Sequence, residues 1–244
     1  MRVRPAVVAQ RKSAVGVAAA PRPSPTQEQM HDRVMAAVVE HRLPPGTKLG
    51  EDRLAEIFGV NRARVRQLLS RLAHEGIVTI LPNRGAFVSE PTVGQAREVF
   101  ELRNLIEPAI VSTVAAKADA AMVRRLRAHL AREEQARARG DHRTLIRLTG
   151  EFHLLLAELA GNATTLRILR EMETLTSLIN YLYDSPSMSG CRGNDHVAIV
   201  AAIARGDGAR AAVLMREHLA ELEHCLAMAP EPAGEFDLGD ALGL

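Results

Sequence analysis

The sequence predicts a mainly α-helical fold in two parts, a small unit containing a β-hairpin and then an all-helical antiparallel bundle. Only 3% of the 244 residues are aromatic and none is Trp, whereas Ala, Leu and Val are abundant, which favours helices over a large sheet. Apolar residues recur at helical spacing through most of the chain, and only residues 77–88 read as short strands. The length allows one or two domains with apolar cores.

Residues 43–76 predict two short helices joined by a tight turn. Pro44-Pro45-Gly46 forms a turn before them, because proline presets φ and glycine tolerates positive φ. Gly59-Val60-Asn61 ends the first helix, and its asparagine is a suitable N-cap for the second, which Gly76 ends. The apolar faces of the two helices consist of Leu54, Ile57, Phe58, Val65, Leu68, Leu69 and Leu72.

Residues 77–88 predict a β-hairpin directly after the second helix. Ile77-Val78-Thr79-Ile80 and Ala86-Phe87-Val88 are two short strand-forming runs, and they flank the turn Leu81-Pro82-Asn83-Arg84-Gly85. Two helices joined by a tight turn and followed by a hairpin are typical of a winged helix-turn-helix. The sequence therefore predicts a DNA-binding unit with this fold.

Arginines are concentrated where such a unit meets DNA. A recognition helix places its N-terminal residues against base edges, and Arg62, Arg64 and Arg66 occupy the first turns of the second helix. Their guanidinium groups could reach guanine or phosphate there, and Arg84 lies at the tip of the wing. The alternative is a merely solvated basic face, but the turn, cap and wing agree in order and spacing.

Charge is unevenly distributed along the chain. Residues 1–91 carry 14 Lys and Arg against 8 acids, whereas residues 92–244 carry 17 against 21. A basic front and a mildly acidic back fit a DNA-reading unit joined to a sensing unit. Residues 1–25 contain no acid and four prolines and predict a disordered basic arm, and residues 230–244 predict a flexible tail. No run reaches the roughly 18 apolar residues that a membrane span needs, so we expect no membrane partner and a cytoplasmic protein.

Glu90-Pro91-Thr92 predicts a hinge between a DNA-binding domain over 26–90 and a helical effector-binding and dimerisation domain over 91–229. Short connections rich in Gly, Asp and Asn divide the second domain and favour antiparallel neighbours in a bundle. The expected helices span 94–117, 120–139, 142–160, 163–184, 194–205 and 208–228.

Three histidines on three of these helices share otherwise apolar stripes. They are His153, His196 and His218, and their helical spacing predicts that all three imidazoles point inward. Neutral imidazole is a good ligand for zinc, nickel, copper or iron, and facing helices of a bundle often hold such sites. Three separate hydrogen-bonded core histidines are the alternative, because spacing alone does not show that the stripes converge.

The first domain resembles the GntR family of bacterial transcription regulators. The resemblance is carried by Leu43-Pro44-Pro45-Gly46, Leu54-Ala55-Glu56, Gly59-Val60-Asn61-Arg62, Val65-Arg66, Leu72, Glu75-Gly76 and Arg84-Gly85-Ala86-Phe87-Val88. It implies a homodimer, most often a repressor, that binds a pseudo-palindromic double-stranded operator. The DNA contacts it implies are Arg53 in the preceding helix, Asn61, Arg62, Arg64 and Arg66 at the start of the recognition helix, and Asn83, Arg84 and Gly85 in the wing.

Residues 95–228 resemble the all-helical FCD effector domain of the FadR-type branch of that family. The matching residues are Leu102-Arg103 with Glu107, Phe152-His153 with Gly161-Asn162, His196 with Ile199 and Ile203, and Met215-Arg216-Glu217-His218-Leu219. Many such domains bind a divalent metal through an aspartate and three histidines, and His153, His196 and His218 match the histidines. Thr149 stands where the aspartate is expected, one helical turn before His153. The resemblance implies zinc, nickel or a similar transition metal.

Three neutral imidazoles would leave the charge of the ion uncompensated, so we expect an anionic effector, a small carboxylate. The alternative is that the missing aspartate lowers metal affinity and the histidines bind the effector directly. Arg103 could clamp the carboxylate by a bidentate pair, or could form a structural salt bridge. Asn180 and Tyr183 could line the same pocket.

The predicted function is therefore ligand-responsive transcription regulation, and we expect no enzymatic activity. Two alternatives remain at this stage. One is a constitutive DNA binder whose helical domain only dimerises. The other is a hydrolase built on a three-histidine metal, which the sequence disfavours because no well-placed general base accompanies the histidines.

Overall fold

The structure is a computed structural model that describes residues 24–183, 195–226 and 238–243. Its helices are α1 Gln27–Val39, α2 Glu51–Phe58, α3 Arg62–His74, α4 Val93–Ala116, α5 Ala120–Ala138, α6 His142–Ala160, α7 Ala163–Tyr183, α8 Asp195–Ala204, α9 Gly208–His224 and α10 Leu238–Ala241. Its strands are β1 Lys48–Leu49, β2 Val78–Leu81 and β3 Gly85–Val88. The fold is mainly helical, as the sequence predicted. Almost all of the predicted basic arm lies outside the described residues.

The first domain contains α1 to α3 and a three-stranded antiparallel sheet. The strand order is β1-β3-β2, and the hairpin pairs Val78 with Val88 and Leu81 with Gly85. Asn83 has φ 59° in the hairpin turn, a left-handed conformation that asparagine tolerates better than most residues. The sequence did not predict β1, since two residues are too short to show a strand pattern.

The turn between α2 and α3 lies where the sequence placed its caps. Gly59 ends α2 in the left-handed conformation at φ 63°, and Asn61 Oδ1 accepts a hydrogen bond from the Arg64 amide at 3.0 Å, so Asn61 caps α3. The apolar faces of α2 and α3 pack against α1 and the sheet. The buried residues of this core include Met30, Val34, Leu43, Leu49, Leu54, Phe58, Val65, Leu68, Leu72, Ile77 and Val88.

The second domain is the helical bundle α4 to α9. Thr92 starts α4 with a capping box, in which its hydroxyl and the Gln95 side chain each bond the other's backbone amide. The long helix α4 packs against α6, α7, α8 and α9. The central apolar core is formed by residues such as Val111, Val114, Leu126, Phe152, Leu156, Ile199, Ile203, Met215 and Leu219. Within the described ranges, no helix is long and apolar enough to cross a membrane.

The expected helices of the second domain agree closely with α4 to α9. The ends at 184, 194 and 227–228 lie outside the described residues, and α9 ends earlier than expected, at His224. Apolar periodicity locates a helix well but fixes its ends poorly, because the last turn depends on local capping.

The C-terminal residues differ from the sequence prediction. The predicted flexible tail includes residues 238–243, yet Leu238–Ala241 form the short helix α10, and Ala241 and Leu242 are buried in the core of the first domain. Leu238, Ala241 and Leu242 share one face of this turn, and that face covers apolar surface. The rest of the predicted tail, residues 230–237 and 244, lies outside the described residues.

The two domains are in direct contact through α1 and its following turn. The Ser177 hydroxyl on α7 donates to the Val39 carbonyl at 3.1 Å, and His41 Nε2 lies 3.0 Å from the Ser177 carbonyl. Arg147 on α6 pairs with Glu40 at 3.1 Å. Any movement between the domains must therefore break or slide these contacts.

Candidate functional site

The three candidate histidines meet inside the bundle. His153 on α6, His196 on α8 and His218 on α9 are all buried, and one nitrogen from each lies within 4.8 Å of the others. His196 Nε2 and His218 Nε2 are 3.3 Å apart. The three apolar stripes of the sequence therefore converge, and the three histidines form one cluster.

Each imidazole has a carboxylate beside its Nδ1 atom. The pairs are His153 with Glu107 at 2.5 Å, His196 with both oxygens of Glu133 at 3.1 Å, and His218 with Asp195 at 3.2 Å. An ionised carboxylate can only accept a hydrogen bond, so each neutral ring carries its proton on Nδ1 and leaves the Nε2 lone pair free. Metal-ligating histidines usually have such a carboxylate behind the ring.

The electrostatics of the cluster favour neutral rings and ionised carboxylates. Burial lowers the pKa of His153 to about 3, although Glu107 opposes this, and burial also lowers the pKa of His196. Burial raises the pKa of Glu133, but hydrogen bonds from His129 and His196 outweigh it and bring that pKa to about 2. The Nε2 atoms of His196 and His218 face each other at 3.3 Å, and a cation between them would bind both.

The donor set fits a divalent transition metal. Three neutral imidazole nitrogens suit zinc or nickel, and the 3.3 Å between the Nε2 atoms of His196 and His218 suits two nitrogens that share one ion. Thr149 lines the same cavity one turn before His153, and its hydroxyl donates to the Ile146 carbonyl at 2.8 Å. A neutral hydroxyl is a far weaker ligand than the aspartate expected there.

Arg103 is buried beside the cluster and already has partners. Its Nε lies 2.6 Å from Glu107, its Nη2 lies 2.6 Å from Glu173, and its Nη1 donates to the Thr176 hydroxyl at 3.0 Å. Of the two alternatives for Arg103, the structure therefore contains the salt bridge. A carboxylate ligand could be clamped only by exchange with one of these partners.

One guanidinium between two carboxyl groups cannot neutralise both. Burial raises the pKa of Glu173 to about 8, although Arg103 pulls it down. Burial also raises the pKa of Glu107, but Arg103 and His153 outweigh this and lower it to about 2. At neutral pH Glu107 is therefore ionised, and Glu173 is a buried neutral acid.

The cluster opens into a cavity of about 820 Å³ that reaches the first domain. Arg103, Glu173 and the half-buried Asn180 line it, as do residues of α1 and α3. Tyr183 instead donates its hydroxyl to the Pro91 carbonyl at 2.9 Å, at the hinge. The cavity has the size and the mixed lining of a small-molecule pocket.

Sequence reasoning missed the carboxylates that orient the histidines. Glu133 follows His129 by four residues, so the two share a helical face, and an acid on an otherwise buried face was a detectable signal. Asp195 immediately precedes His196 but orients His218, and this pairing depends on the packing of α8 against α9. No sequence pattern predicts such a contact between helices.

Arg62 and Arg66 of the recognition helix are exposed and pair with acids of α2. Arg66 Nε lies 2.8 Å from Glu51, and Arg62 pairs with Asp52. The Arg64 guanidinium instead donates to the Pro25 carbonyl, before α1. Exposed ion pairs are weak and exchange readily, so phosphate could replace these acids.

The other predicted DNA contacts lie on the wing and on α2. Arg84 lies 5.7 Å from the centre of the Phe87 ring, a cation–π contact at the wing. Asn83 and Gly85 both have positive φ and shape the turn. Arg53 lies on the exposed face of α2, where it pairs with Glu56 at 3.0 Å.

Comparison with known proteins matches both domains. Residues 26–88 match the family described as bacterial regulatory proteins, gntR family, and residues 98–221 match the FCD domain. The HTH-type transcriptional repressor RspR of Escherichia coli K12 is 25% identical over 199 residues, 81% of this chain and 87% of RspR. An uncharacterized HTH-type transcriptional regulator of Streptomyces ambofaciens is 31% identical over 202 residues, 80% of this chain and 84% of that protein.

A solved structure has the same architecture. A GntR transcriptional regulator from Rhodococcus sp. RHA1 superposes with a TM-score of 0.72 at 23% identity, covering 81% of this chain and 95% of that one. The relatives are transcription regulators rather than enzymes, which agrees with the expected function and not with the hydrolase alternative. The chain belongs to the GntR family, in the FadR-type branch with an FCD domain, and is a DNA-binding transcription regulator.

Proposed function

We propose that this regulator is a homodimeric repressor that releases its operator when a small carboxylate binds at the His153, His196 and His218 cluster together with a divalent transition metal. The observation that carries the proposal is the orientation of the three rings. Each Nδ1 faces a carboxylate, so three Nε2 lone pairs are directed at one another inside a cavity.

The cluster selects for an anion. A divalent ion held by neutral imidazoles would keep its full charge and would offer open coordination positions to an anionic oxygen. Thr149 contributes no charge where the aspartate is expected. We therefore assign that place to the effector's carboxylate.

Two further residues suit the rest of the effector. Asn180 lies on the cavity wall, where its amide can donate to or accept from a polar substituent. Arg103 would bind the effector only by releasing Glu173. Of the two carboxyl groups beside Arg103, Glu173 is the one with the raised pKa, so it is the one that is more easily exchanged. Effectors with two acidic groups would gain most from that exchange.

DNA recognition is assigned to the exposed face of the first domain. Arg62, Arg64 and Arg66 would face the major groove, with Asn61 at the helix start and Arg53 on the backbone. The wing residues Asn83, Arg84 and Gly85 would reach the adjacent groove. A two-fold dimer would place two such faces on a pseudo-palindrome. An effector can shift this arrangement only if it binds one arrangement of the domains better than the other. The contacts of α1 with α6 and α7 join the two domains, so we expect effector binding to change them.

The first test is the metal content of the purified full-length protein by elemental mass spectrometry. We expect about one transition metal at the cluster of each wild-type chain, and its loss in His153→Ala/His218→Ala. The matched control is His142→Ala/His224→Ala, which removes two exposed histidines and should keep the metal. Equal metal content in all three proteins would contradict the proposal.

A further inference from the structure

We propose a second divalent-cation site, on α1 of the DNA-binding domain, formed by Glu28, His31 and Asp32. One donor atom from each of these residues lies within 4.8 Å of the others. The site shares no residue with the histidine cluster in the bundle, and residues of both line the same cavity.

The key atom is Nδ1 of His31. The His31 side chain is 8% exposed, and its Nε2 lies 2.6 Å from Glu75 Oε2. Because an ionised carboxylate only accepts, Nε2 carries a proton, and Nδ1 is the ring's ligand atom toward Glu28 and Asp32. Among the described residues, this buried Nδ1 has no hydrogen-bond partner.

The nearest charged group to that lone pair is another acceptor. Asp32 Oδ1 lies 3.6 Å from His31 Nδ1, and Glu28 completes the group. One imidazole nitrogen and two carboxylates that face one another can be held together by a cation among them. Buried polar atoms normally have partners, so an orphaned nitrogen beside two acids indicates a missing cation.

Carboxylates around the site outnumber the guanidinium groups that pair with them directly. Glu28, Asp32 and Glu75 bring three carboxylates, and Arg71 on α3 pairs with two of them, at 2.6 Å from Glu28 and 3.1 Å from Glu75. Asp32 contacts the site through the His31 ring. Glu28 has further lone pairs and can hold Arg71 and a cation together.

The donor set defines the class of ion. One imidazole nitrogen and two carboxylates suit manganese, ferrous iron or zinc, and they do not suit a soft ion such as copper(I). Glu28 and Asp32 are exposed and can adjust to the ion, whereas His31 is fixed by Glu75. Because Glu28 also holds Arg71, an ion here would contact the network that joins α1 to the recognition helix.

The test is a manganese titration of the full-length His153→Ala/His218→Ala protein, followed by electron paramagnetic resonance. This background removes the cluster in the bundle, so the remaining signal reports the α1 site. We expect one bound Mn²⁺ per chain, and at least about tenfold weaker binding in Asp32→Asn and His31→Gln. Asp32 is exposed, so its variant should fold normally. The control is His74→Ala, an exposed histidine that lines the same cavity and should leave binding unchanged.

The proposal is overturned if the background protein binds no Mn²⁺, or if Asp32→Asn and His31→Gln titrate like their parent. The same test can be made without the background substitutions. The single variant Asp32→Asn should bind one Mn²⁺ fewer per chain than the wild-type protein. Loss of the α1 site leaves the count at the histidine cluster unchanged. The two proposals therefore succeed or fail separately.

Discussion

Two arginine–glutamate pairs, one in each domain, share their chemistry and differ in their surroundings. Arg66 and Glu51 lie 2.8 Å apart with 63% and 38% of their side chains exposed, whereas Arg103 and Glu107 lie 2.6 Å apart with 1% and 2% exposed. An exposed pair contributes about 0–1 kcal/mol, while breaking a buried pair costs about 3–5 kcal/mol. Because it is exposed to solvent, Arg66 is available to a ligand. Arg103 is buried, so its ion pair stabilises the fold.

This comparison separates the two kinds of recognition in the molecule. The DNA-binding domain keeps its charges at the surface, weakly held by neighbouring acids that phosphate can replace. The FCD domain buries Arg103 between Glu107 and Glu173 and directs imidazole nitrogens into a cavity. The first arrangement suits a large polyanion, and the second suits one small ligand.

The largest expected effect comes from breaking the buried pair. Arg103→Met leaves Glu107 without its cation, so we expect the free energy of unfolding to fall by about 3–5 kcal/mol. Arg66→Met should change it by no more than about 0.5 kcal/mol. Urea unfolding followed by circular dichroism measures both variants. Similar losses in the two variants would show that burial does not distinguish the pairs.

Operator affinity, unlike the free energy of unfolding, should depend on the exposed arginines of α3. Arg62→Ala and Arg66→Ala should each weaken operator binding by about tenfold or more, because a bidentate base contact is worth about 1–3 kcal/mol. Fluorescence anisotropy on an operator isolated by in vitro selection measures this. An arginine that contacts phosphate should also reduce the salt slope by about one.

The matched control for operator binding is Arg127→Ala, an exposed arginine on α5. It should leave both affinity and salt slope unchanged. If Arg62→Ala and Arg66→Ala bind like this control, α3 does not contact the operator through its arginines.

The carboxylates behind the histidines should control metal affinity. Glu133→Gln removes the acceptor that orients His196, and we expect metal affinity to fall by about 10–100-fold. Glu134→Gln is the matched control, since Glu134 lies next in α5 but pairs with Arg137 at the surface. Competition with a chromogenic chelator measures both. Equal affinities in the two variants would mean that the carboxylate does not orient the ring.

Glu173 should make the stability of the metal-stripped protein depend on pH. Its pKa is raised from 4.5 to about 8, so the unfolded carboxyl ionises in a range where the folded one keeps its proton. The contribution of Glu173 to the free energy of unfolding is complete below pH 4.5 and is lost as pH rises through 8. The free energy of unfolding falls over this range by up to about 1.4 kcal/mol per pH unit. Glu173→Gln cannot ionise, so its stability relative to wild type should rise with pH. Parallel pH profiles from urea unfolding would contradict the assignment.

The smallest expected effect is at the surface acids of α2. Glu51→Gln removes the acid that holds Arg66, and we expect operator affinity to rise by only a few fold, as an exposed pair is worth about 0–1 kcal/mol. Glu56→Gln, which removes the carboxylate partner of Arg53 at 3.0 Å on the same helix, is the comparison variant. A loss of affinity in Glu51→Gln would mean that the acid positions Arg66 rather than competing with DNA.

Local sequence patterns predicted the helices, strands and turns, whereas the contacts within the candidate site depend on how the helices pack. Asn61, Gly59 and the run 85–88 each have a local conformational role, so the helix-turn-helix and wing could be located from the sequence. The inward direction of His153, His196 and His218 also followed from helical spacing.

The contacts between helices could not be predicted in the same way. The pairing of Asp195 with His218, and the occupation of Arg103 by Glu173, depend on how separate helices are rotated against one another. The helix α10 could not be predicted either, because its four residues carry too short an apolar pattern.

The most direct test of coupling between the buried cluster and the exposed face is operator affinity in the presence of small carboxylates. The metal-loaded wild type and His153→Ala/His218→Ala would be screened against mono- and dicarboxylates, with binding checked by thermal shift. We expect an acid that binds the wild type to change its operator Kd by about 5–150-fold, and to leave the double variant unaffected. An acid that binds the wild type without changing operator affinity, or that acts equally on the double variant, would contradict control of DNA binding through the histidine cluster.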